Sequence, residues 1–416
     1  MGKIVVSGGK KLEGEVTISG AKNAILPVLA ACLLSKRPLA LERVPNLDDV
    51  FTMVRVLESL GVRVNWKAQV LEIDPSGVYT DEVPPSLMQK MRASSLVMGA
   101  MLGRFGKVRI SSPGGCVIGS RPIDLHLKGF RAMGTAIRER HGFIEAEAKK
   151  LHGAEVHLDF PSVGATENIM MAAVMAQGTT IIRNAAREPE IIDLQNFLNK
   201  LGAKVKGAGL NIIRIDGMQA IGRDVAYQVI PDRIETGTFM VAAAITGGSL
   251  LIKNTIPEHV EAVVAKLREA GVKIEVESDR IFVRGTPMWK AVDIQTLPFP
   301  GFPTDMQPQM MSFLSLAQGT SVITENIFEN RFRHVGELRK MGANIRTEGR
   351  TSIIRGVSQL SGSVVEASDL RAGAALVLAG LAAEGTTVIE GVYHIDRGYE
   401  DLVGKLRSLG ADIGRV

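Results

Sequence analysis

The stretch Val260-Glu-Ala-Val-Val-Ala-Lys-Leu-Arg-Glu-Ala-Gly-Val-Lys-Ile-Glu-Val276 decides the fold, because variants of it recur along the whole chain. It joins an amphipathic segment to a glycine and then to a short alternating segment, a pattern that predicts a helix, a turn and a strand. The glycine recurs at intervals of roughly 70 residues, which indicates one supersecondary unit copied six times. The six copies of the mark are Leu60-Gly61, Met133-Gly134, Leu201-Gly202, Ala270-Gly271, Met341-Gly342 and Leu409-Gly410.

A second mark of the repeat is a short apolar strand, whose copies are spaced along the chain much like the glycines. Each unit also contains a helix that is apolar on nearly all sides, such as Ala24–Leu34 or Phe239–Ile245, and such a helix belongs in an interior. We therefore predict an α/β fold of βαβαββ-like units, three around each pseudo-threefold axis, with buried helices inside and sheets outside. The strand copies are Gly178-Thr-Thr-Ile-Ile, Gly248-Ser-Leu-Leu-Ile, Gly319-Thr-Ser-Val-Ile and Gly385-Thr-Thr-Val-Ile, with weaker ones at Lys36 and Gly106.

Length and composition limit the class of protein. A chain of 416 residues exceeds one ordinary domain, so the six units divide as three plus three. The net charge of +5 without any Lys/Arg run favours small anionic substrates over nucleic acid. Two cysteines exclude a disulfide framework and a cysteine-rich zinc site. The N-terminus predicts a strand rather than a signal peptide, and no membrane-spanning run appears, so we expect a cytoplasmic protein.

Charged residues recur at the start of the buried helices, 14 residues before each recurrent strand. A helix N-terminus binds anions and disfavours a nearby cation. Lys22, Arg92 and Arg371 therefore predict an anionic ligand held between each cation and its helix, whereas Asp305 also fits a helix cap. On this interpretation, removing Lys22 would leave the fold intact. The six positions are Lys22, Arg92, Gly164, Ile234, Asp305 and Arg371, with Asp232, Glu235 and Asp369 beside equivalent positions.

A glycine-rich loop interrupts the second unit. The segment Ser111–His126 contains Pro113, three glycines and the thiol of Cys116, followed by Arg121. A thiol on a turn-rich loop beside arginine is a candidate reactive group that a mobile lid could carry into a site. The alternative is an incidental surface thiol. The other cysteine, Cys32, lies in an apolar helix and is interpreted as inert packing.

Several motifs resemble the UDP-N-acetylglucosamine 1-carboxyvinyltransferase family, the bacterial enolpyruvyl transferases that open peptidoglycan synthesis. The resemblance runs the whole length of the chain, and its motifs are long and specific. They are Ser19-Gly-Ala-Lys-Asn-Ala-Ile-Leu-Pro27, Gly114-Gly-Cys-Val-Ile-Gly-Ser-Arg-Pro-Ile-Asp-Leu-His126, Ser162-Val-Gly-Ala-Thr166, Asp232-Arg-Ile-Glu-Thr-Gly-Thr238, Phe302-Pro-Thr-Asp-Met306, Glu329-Asn-Arg-Phe332 and Tyr393-His-Ile-Asp-Arg-Gly-Tyr399.

The resemblance implies two inside-out α/β domains of the EPSP synthase type, each built of three units, with the active site in the cleft between them. The first domain would be 22–229, carrying the cysteine loop, and the second would be 1–21 plus 230–416. The implied substrates are phosphoenolpyruvate and UDP-N-acetylglucosamine. No metal, organic cofactor, nucleic acid or membrane is implied as a partner.

The resemblance also implies roles for individual residues. Lys22, Arg121 and Arg397 would hold the carboxylate and phosphate of phosphoenolpyruvate, with Asn23 and Arg371 in the same group. Cys116 would be the loop acid, able to form a covalent adduct with phosphoenolpyruvate, and Asp305 would meet the sugar hydroxyl as proton acceptor. Phe160 stands where some relatives have lysine. The implied nucleotide-sugar contacts are Arg92, Arg121, Pro122, Ile123, Asp124, Leu125, Ser162, Val163, Gly164, Asp305, Ile327, Arg331 and Asp369.

Two other functions remain open from the residues. The first is the related reaction on shikimate 3-phosphate, which would share the repeats and the cations but not the cysteine loop or the Lys22–Pro27 run. The second is RNA binding or RNA-end processing on similar repeats. RNA binding needs a basic stripe on an outer face, whereas the notable cations here are expected at helix starts and loops with acids beside them.

Overall fold

A computed structural model describes residues 2–67, 70–111, 118–119 and 122–416. Contacts divide the chain into two compact units. The terminal unit consists of the residues up to Ser19, residues 118–119 and Pro231–Val416, and the central unit is the rest of Gly20 to Ile230. Cys116 and Arg121 lie outside the described residues. No described helix has both the length and the apolar character that crossing a membrane requires.

The helices occupy the segments that the two repeat marks delimit. The predicted apolar helix Ala24–Leu34, for example, is α1 followed by a short 3₁₀ turn, Cys32–Leu34. The helices are α1 Lys22–Ala31, α2 Asp48–Leu60, α3 Pro85–Met88, α4 Val97–Phe105, α5 Asp124–Ala132, α6 Val163–Ala173, α7 Pro189–Lys200, α8 Arg233–Thr246, α9 Glu261–Glu269, α10 Gln307–Leu314, α11 Val335–Lys340, α12 Leu370–Ala382, α13 Tyr393–Asp396 and α14 Leu402–Ser408.

The strands are short, and most of them alternate buried and exposed positions. One face of each sheet therefore packs on the interior. They are β1 Ile4–Ser7, β2 Glu13–Thr17, β3 Leu39–Glu42, β4 Arg63–Lys67, β5 Val70–Asp74, β6 Lys107–Ser111, β7 Ala136–Arg140, β8 Phe143–Glu147, β9 Glu155–His157, β10 Thr179–Arg183, β11 Lys204–Lys206, β12 Ile212–Asp216, β13 Val225–Gln228, β14 Ser249–Lys253, β15 Lys273–Val276, β16 Arg280–Arg284, β17 Ile294–Gln295, β18 Thr320–Thr324, β19 Asn344–Glu348, β20 Thr351–Arg355, β21 Val364–Glu366, β22 Thr386–Glu390 and β23 Asp412–Arg415.

One repeat shows the unit in full, and it has the predicted βαβαββ order. It runs β9, α6, β10, α7, β11 and β12. Strand β9 pairs parallel to β10, β12 pairs antiparallel to β10, and β11 pairs antiparallel to β12. The sheets β17-β18-β20-β19 and β2-β14-β16-β15 repeat this order. A buried helix therefore precedes the second strand of each unit, and an amphipathic helix follows it.

Strands from distant parts of the sequence complete several sheets. Strand β1 pairs antiparallel with both β22 and β23, and β2 pairs parallel with β14. In the central unit, β13 pairs parallel with β3. The chain's first strands thus belong to the sheets of its C-terminal half.

Glycine explains the first repeat mark. The glycine after each amphipathic helix has a φ between 90° and 106°, a left-handed conformation that side chains with a Cβ disfavour. Glycine also allows close packing of the interior helices. A Cβ at Gly99 of α4 would lie 2.1 Å from the carbonyl oxygen of Asn168 in α6. The repeat is therefore marked by glycine where the backbone must turn sharply.

Candidate functional site

The six residues found by counting back from the strands all lie at the start of buried helices. Lys22 is the first residue of α1, and Arg92 begins the 3₁₀ turn Arg92–Leu96 before α4. Asp305 lies in the 3₁₀ turn Thr304–Met306 before α10. The remaining three, Gly164, Ile234 and Arg371, are the second residues of α6, α8 and α12. This part of the prediction is confirmed.

The ammonium of Lys22 is paired with a carboxylate of the chain itself. Lys22 Nζ lies 2.6 Å from Oδ2 of Asp49, and the two side chains are only 10% and 4% exposed. Asp49 comes from the first turn of α2, so the anion at this helix start is supplied from a neighbouring element. Sequence reasoning did not single out Asp49. The pair Asp48-Asp49 at the start of an amphipathic helix was the available signal.

Asp305 is held by two buried arginines. Its Oδ1 accepts a hydrogen bond from Arg331 Nη2 at 3.0 Å, and its Oδ2 accepts from Arg371 Nε at 3.1 Å and Nη2 at 3.0 Å. Arg331 and Arg371 are 2% and 1% exposed at their side chains, whereas Asp305 is 26% exposed. Two buried guanidinium groups therefore fix the direction of the carboxylate, and the Asp305 side chain stays partly exposed. Burial lowers the pKa of Arg371, but Tyr399, Asp305 and Asp232 outweigh it and raise that pKa overall.

The helix-cap alternative applies to residues other than Asp305. Asp369 Oδ1 accepts from the backbone N–H of Arg371 at 2.8 Å and of Ala372 at 3.0 Å, and it caps α12. Asp232 caps α8 through the N–H groups of Ile234 and Glu235. Helix α10, which follows Asp305, has no side-chain cap. The hydrogen bonds described for the Asp305 carboxylate come from the guanidinium groups of Arg331 and Arg371.

The structure also shows a buried histidine, His126, that the sequence analysis did not single out as a candidate site residue. His126 Nδ1 lies 2.9 Å from Asn168 Nδ2, and the amide oxygen of Asn168 accepts from the N–H of Gly99 at 2.7 Å. Because the amide nitrogen can only donate, Nδ1 of His126 accepts, and the neutral ring carries its proton on Nε2. Burial and the charge of Arg92 lower the pKa of His126 to about 3. The ring therefore stays neutral and presents one N–H donor.

The other predicted residues lie at element ends. Asn23 is the second residue of α1, and Arg397 directly follows α13; both are half-buried. Ser162 caps α6, its Oγ 3.4 Å from the N–H of Ala165, and Val163 and Gly164 open that helix. Pro122 and Asp124 are exposed, Ile123 is buried, and Leu125 is half-buried at the start of α5. Ile327 lies in the loop after β18, where its N–H donates to Glu325 Oε1 at 2.8 Å.

The interpretation of Cys32 as packing is confirmed. It is 1% exposed, and its Sγ donates to the carbonyl oxygen of Val28 at 3.3 Å. Burial raises the pKa of this thiol, which disfavours the reactive thiolate. The predictions for Cys116 and Arg121 fall outside the described residues.

The described residues thus contain two preformed clusters. In the terminal unit, Asp305, Arg331, Arg371 and Asp369 meet around the start of α12. In the central unit, Lys22 and Asp49 meet at the start of α1. The first cluster combines fixed cations with a partly exposed carboxylate, and the second holds a cation against a buried carboxylate. Cations of this kind and a carboxylate are the groups needed for an anionic substrate that also loses a proton. No metal-binding group of His, Cys, Asp and Glu occurs among these residues.

Known proteins resemble the chain along its whole length. The family profile described as EPSP synthase (3-phosphoshikimate 1-carboxyvinyltransferase) matches residues 6–406. UDP-N-acetylglucosamine 1-carboxyvinyltransferase 1 of Carboxydothermus hydrogenoformans is 56% identical over 416 residues, covering 100% of this chain and 99% of that protein. The enzyme of the same name from Caldanaerobacter subterraneus is 57% identical over 413 residues, covering 99% of each.

Solved structures share the fold. The enolpyruvyl transferase NikO from Streptomyces tendae has a TM-score of 0.90 at 25% identity, covering 100% of this chain and 99% of that one. EPSP synthase from Acinetobacter baumannii has a TM-score of 0.77 at 19% identity, covering 100% of both chains. These likenesses confirm the predicted fold class.

Proposed function

The chain belongs to the family of UDP-N-acetylglucosamine 1-carboxyvinyltransferases, and we propose that it transfers the enolpyruvyl group of phosphoenolpyruvate to the 3-hydroxyl of UDP-N-acetylglucosamine, releasing phosphate. The full-length identity of 56% to an enzyme of that name carries the proposal. The reaction would open peptidoglycan synthesis, in the cytoplasm. The rival reaction on shikimate 3-phosphate has weaker support, because the solved EPSP synthases are only 19% and 20% identical to this chain.

The proposed reaction is an addition followed by an elimination. The sugar oxygen bonds to C2 of phosphoenolpyruvate while its proton passes to Asp305 and C3 receives a proton from the acid, which we assign to Cys116. In the elimination C3 gives a proton to a general base, the electron pair of that C–H bond forms the C2–C3 double bond, and the C2–O bond breaks so that inorganic phosphate leaves. We also assign to Cys116 a covalent adduct, in which its sulfur bonds to C2 of phosphoenolpyruvate and a proton is added to C3. The acid and the base serve as general catalysts.

Cations and one neutral amide would hold the anionic groups. We assign the phosphate and carboxylate of phosphoenolpyruvate to Lys22, Asn23, Arg121, Arg371 and Arg397. Preorganised cations lower the energy of a highly charged intermediate because they need no rearrangement during the reaction. The Asp49 contact supports this role for Lys22, since it holds the ammonium in one place.

The arginine pair gives the proton acceptor its direction. Arg331 and Arg371 each donate to a different oxygen of Asp305, and guanidinium groups cannot accept hydrogen bonds. We assign to this carboxylate, whose side chain is 26% exposed, the role of acceptor for the sugar hydroxyl. We assign the nucleotide sugar to Arg92, Arg121, Pro122, Ile123, Asp124, Leu125, Ser162, Val163, Gly164, Asp305, Ile327, Arg331 and Asp369.

Phosphate release tests the proposed function. The purified chain is mixed with phosphoenolpyruvate and UDP-N-acetylglucosamine, with phosphoenolpyruvate and shikimate 3-phosphate, or with phosphoenolpyruvate alone. We expect inorganic phosphate only with the nucleotide sugar. Release with shikimate 3-phosphate would establish the rival reaction. Tight, strongly salt-dependent oligonucleotide binding without any phosphate release would favour the RNA hypothesis.

A further inference from the structure

A fully buried carboxylate accepts a hydrogen bond from the residue that directly precedes the proposed proton acceptor. Glu325 follows β18 in the terminal unit and has no solvent exposure. Its Oε1 accepts from Thr296 Oγ1 at 2.9 Å and from the N–H groups of Ile327 at 2.8 Å and Phe328 at 3.1 Å. Its Oε2 accepts from Thr304 Oγ1 at 2.9 Å. Both oxygens therefore have fixed hydrogen-bond donors.

These bonds join three separate segments of the chain. Thr296 follows β17 directly, Thr304 directly precedes Asp305, and Ile327 lies two residues beyond Glu325. Thr296 Oγ1 also accepts from the N–H of Asn326 at 2.9 Å, and its carbonyl oxygen accepts from Asn326 Nδ2 at 3.1 Å. One carboxylate thus links the turn that carries Asp305 to the loop that carries Ile327.

Closing the loop after β18 does not require all four hydrogen bonds to Glu325. The bonds from Ile327 and Phe328 to Oε1 are the local contacts that close the loop after β18. The bond from Thr304 to Oε2 is different, because it crosses 21 residues of sequence and contributes nothing to that loop. A buried carboxylate is costly unless both oxygens are satisfied, so the bond to Thr304 is strong and directional.

We infer that Glu325 is a positioning residue that sets Asp305 and Ile327 in fixed relation to each other. Asp305 is the proposed acceptor of the sugar hydroxyl proton, and Ile327 is a proposed contact of the nucleotide sugar, so this inference rests on the proposed function. Glu325 itself would touch neither substrate. Its effect would be on the orientation of Asp305 toward a sugar that Ile327 helps to place.

The test separates the link to Asp305 from the rest of the network. In Thr304→Val the side chain keeps its shape but loses the donor to Oε2, while Thr296, Ile327 and Phe328 still bind Oε1. We expect kcat to fall about tenfold or more, because small misplacements of a catalytic group are costly. The KM for phosphoenolpyruvate should stay near that of the wild type, while the melting temperature should fall, because Oε2 of the buried Glu325 loses the Thr304 donor. Glu325→Ala should in addition raise the KM for UDP-N-acetylglucosamine.

Two further variants serve as controls. Thr304→Ser keeps the hydroxyl but loses the β-branched shape. Its kcat should stay near that of the wild type if the hydroxyl is what matters, and should fall if the branched shape is required. Thr179→Val removes another threonine-to-carboxylate bond, from Thr179 Oγ1 to Asp216 Oδ1 at 2.8 Å in the central unit, where the carboxylate is 42% exposed. It should leave both kcat and KM unchanged.

The outcomes distinguish this inference from the proposed function. If the wild type turns over and Thr304→Val matches its kcat, the positioning role is wrong and the proposed function stands. A loss of kcat that Thr304→Ser fails to restore also overturns the positioning role. If the wild type releases no phosphate with UDP-N-acetylglucosamine, the proposed function fails, and the inference fails with it.

Discussion

At the residue scale, the cation at the start of α1 has a structural partner that changes what its removal should do. The sequence pattern alone predicted that Lys22 opposes its helix dipole, so that its removal would leave the fold intact and weaken only the handling of phosphoenolpyruvate. The structure places the Lys22 ammonium 2.6 Å from the buried Asp49 carboxylate. Truncation would leave a buried negative charge without this cation, and that is strongly destabilising.

We therefore predict that Lys22→Ala lowers both stability and turnover. The free energy of unfolding should fall by about 3 kcal/mol, the usual scale for breaking a buried ion pair. The double variant Lys22→Ala/Asp49→Ala should recover most of that stability, because neither charge remains, while turnover stays low. Urea unfolding and phosphate release measure the two effects. A Lys22→Ala protein as stable as the wild type would show that the pair contributes little.

The hypothesis that Cys116 is the reactive thiol can also be tested at single residues. Fosfomycin, an epoxide that mimics phosphoenolpyruvate, should alkylate Cys116 and stop turnover, and bound UDP-N-acetylglucosamine should speed the reaction. Cys32 is the internal control, since its thiol is buried and its pKa is raised. Cys116→Asp should keep activity and escape the epoxide, because a carboxyl can remain protonated in a water-excluded site. Peptide mapping that finds the label on Cys32 would contradict the assignment.

At the scale of elements, glycine has two separate roles that a single substitution can tell apart. Gly271, after α9, has a φ of 102° and open space where a Cβ would stand. A Cβ at Gly356, after β20, would lie 1.6 Å from the carbonyl oxygen of Ala317. The first position requires only a backbone conformation, whereas the second requires the close approach of two backbone segments.

We predict that Gly271→Ala lowers the free energy of unfolding by about 1 kcal/mol, the cost of a left-handed alanine. Gly356→Ala should cost about 3 kcal/mol, because the end of β20 must move away from Ala317. Urea midpoints of the two variants measure the difference. Equal losses would show that the close approach at Gly356 relaxes easily.

At the scale of the whole molecule, stability depends on pH through buried groups whose pKa values shift in opposite directions. Burial lowers the pKa of His126 to about 3 and that of His334 to about 4, so stability should fall as the pH drops below about 6.5. Burial raises the pKa of Asp193 to about 7, while its bond from Tyr227 opposes that rise. Asp193 binds its proton more tightly when folded, so its contribution falls as the pH rises from about 4 to about 7.

Asp193→Asn should therefore become more stable relative to the wild type as the pH rises. The amide can still accept the Tyr227 hydroxyl, which lies 2.7 Å from Asp193 Oδ1, but it carries no charge to bury. The stability gap should widen by on the order of 1 kcal/mol per pH unit up to about pH 7 and then stay constant. Melting temperatures at pH 5 and pH 8 measure it. A gap that does not change between these values would show that Asp193 titrates normally.

Local features of this protein could be predicted from the sequence to a considerable extent. The starts of the buried helices at Lys22 and Arg371, the turns after the amphipathic helices and the burial of Cys32 all follow from periodicity and from glycine placement. Each depends on residues a few positions apart, because dihedral preferences and helix faces are local properties. The long motifs likewise indicated the family.

Tertiary structure alone decided which distant groups meet. Asp49 pairs with Lys22 across 27 residues, and Asp305 joins Arg371 across 66. Strand β1 pairs with β22 and β23 at the other end of the chain. Charge and strand patterns are compatible with many partners, so the sequence by itself determined the repeated units and the positions of their cations. Packing of those units chose the partners, because ion pairs and strand ladders form only between groups that the fold brings within hydrogen-bond distance.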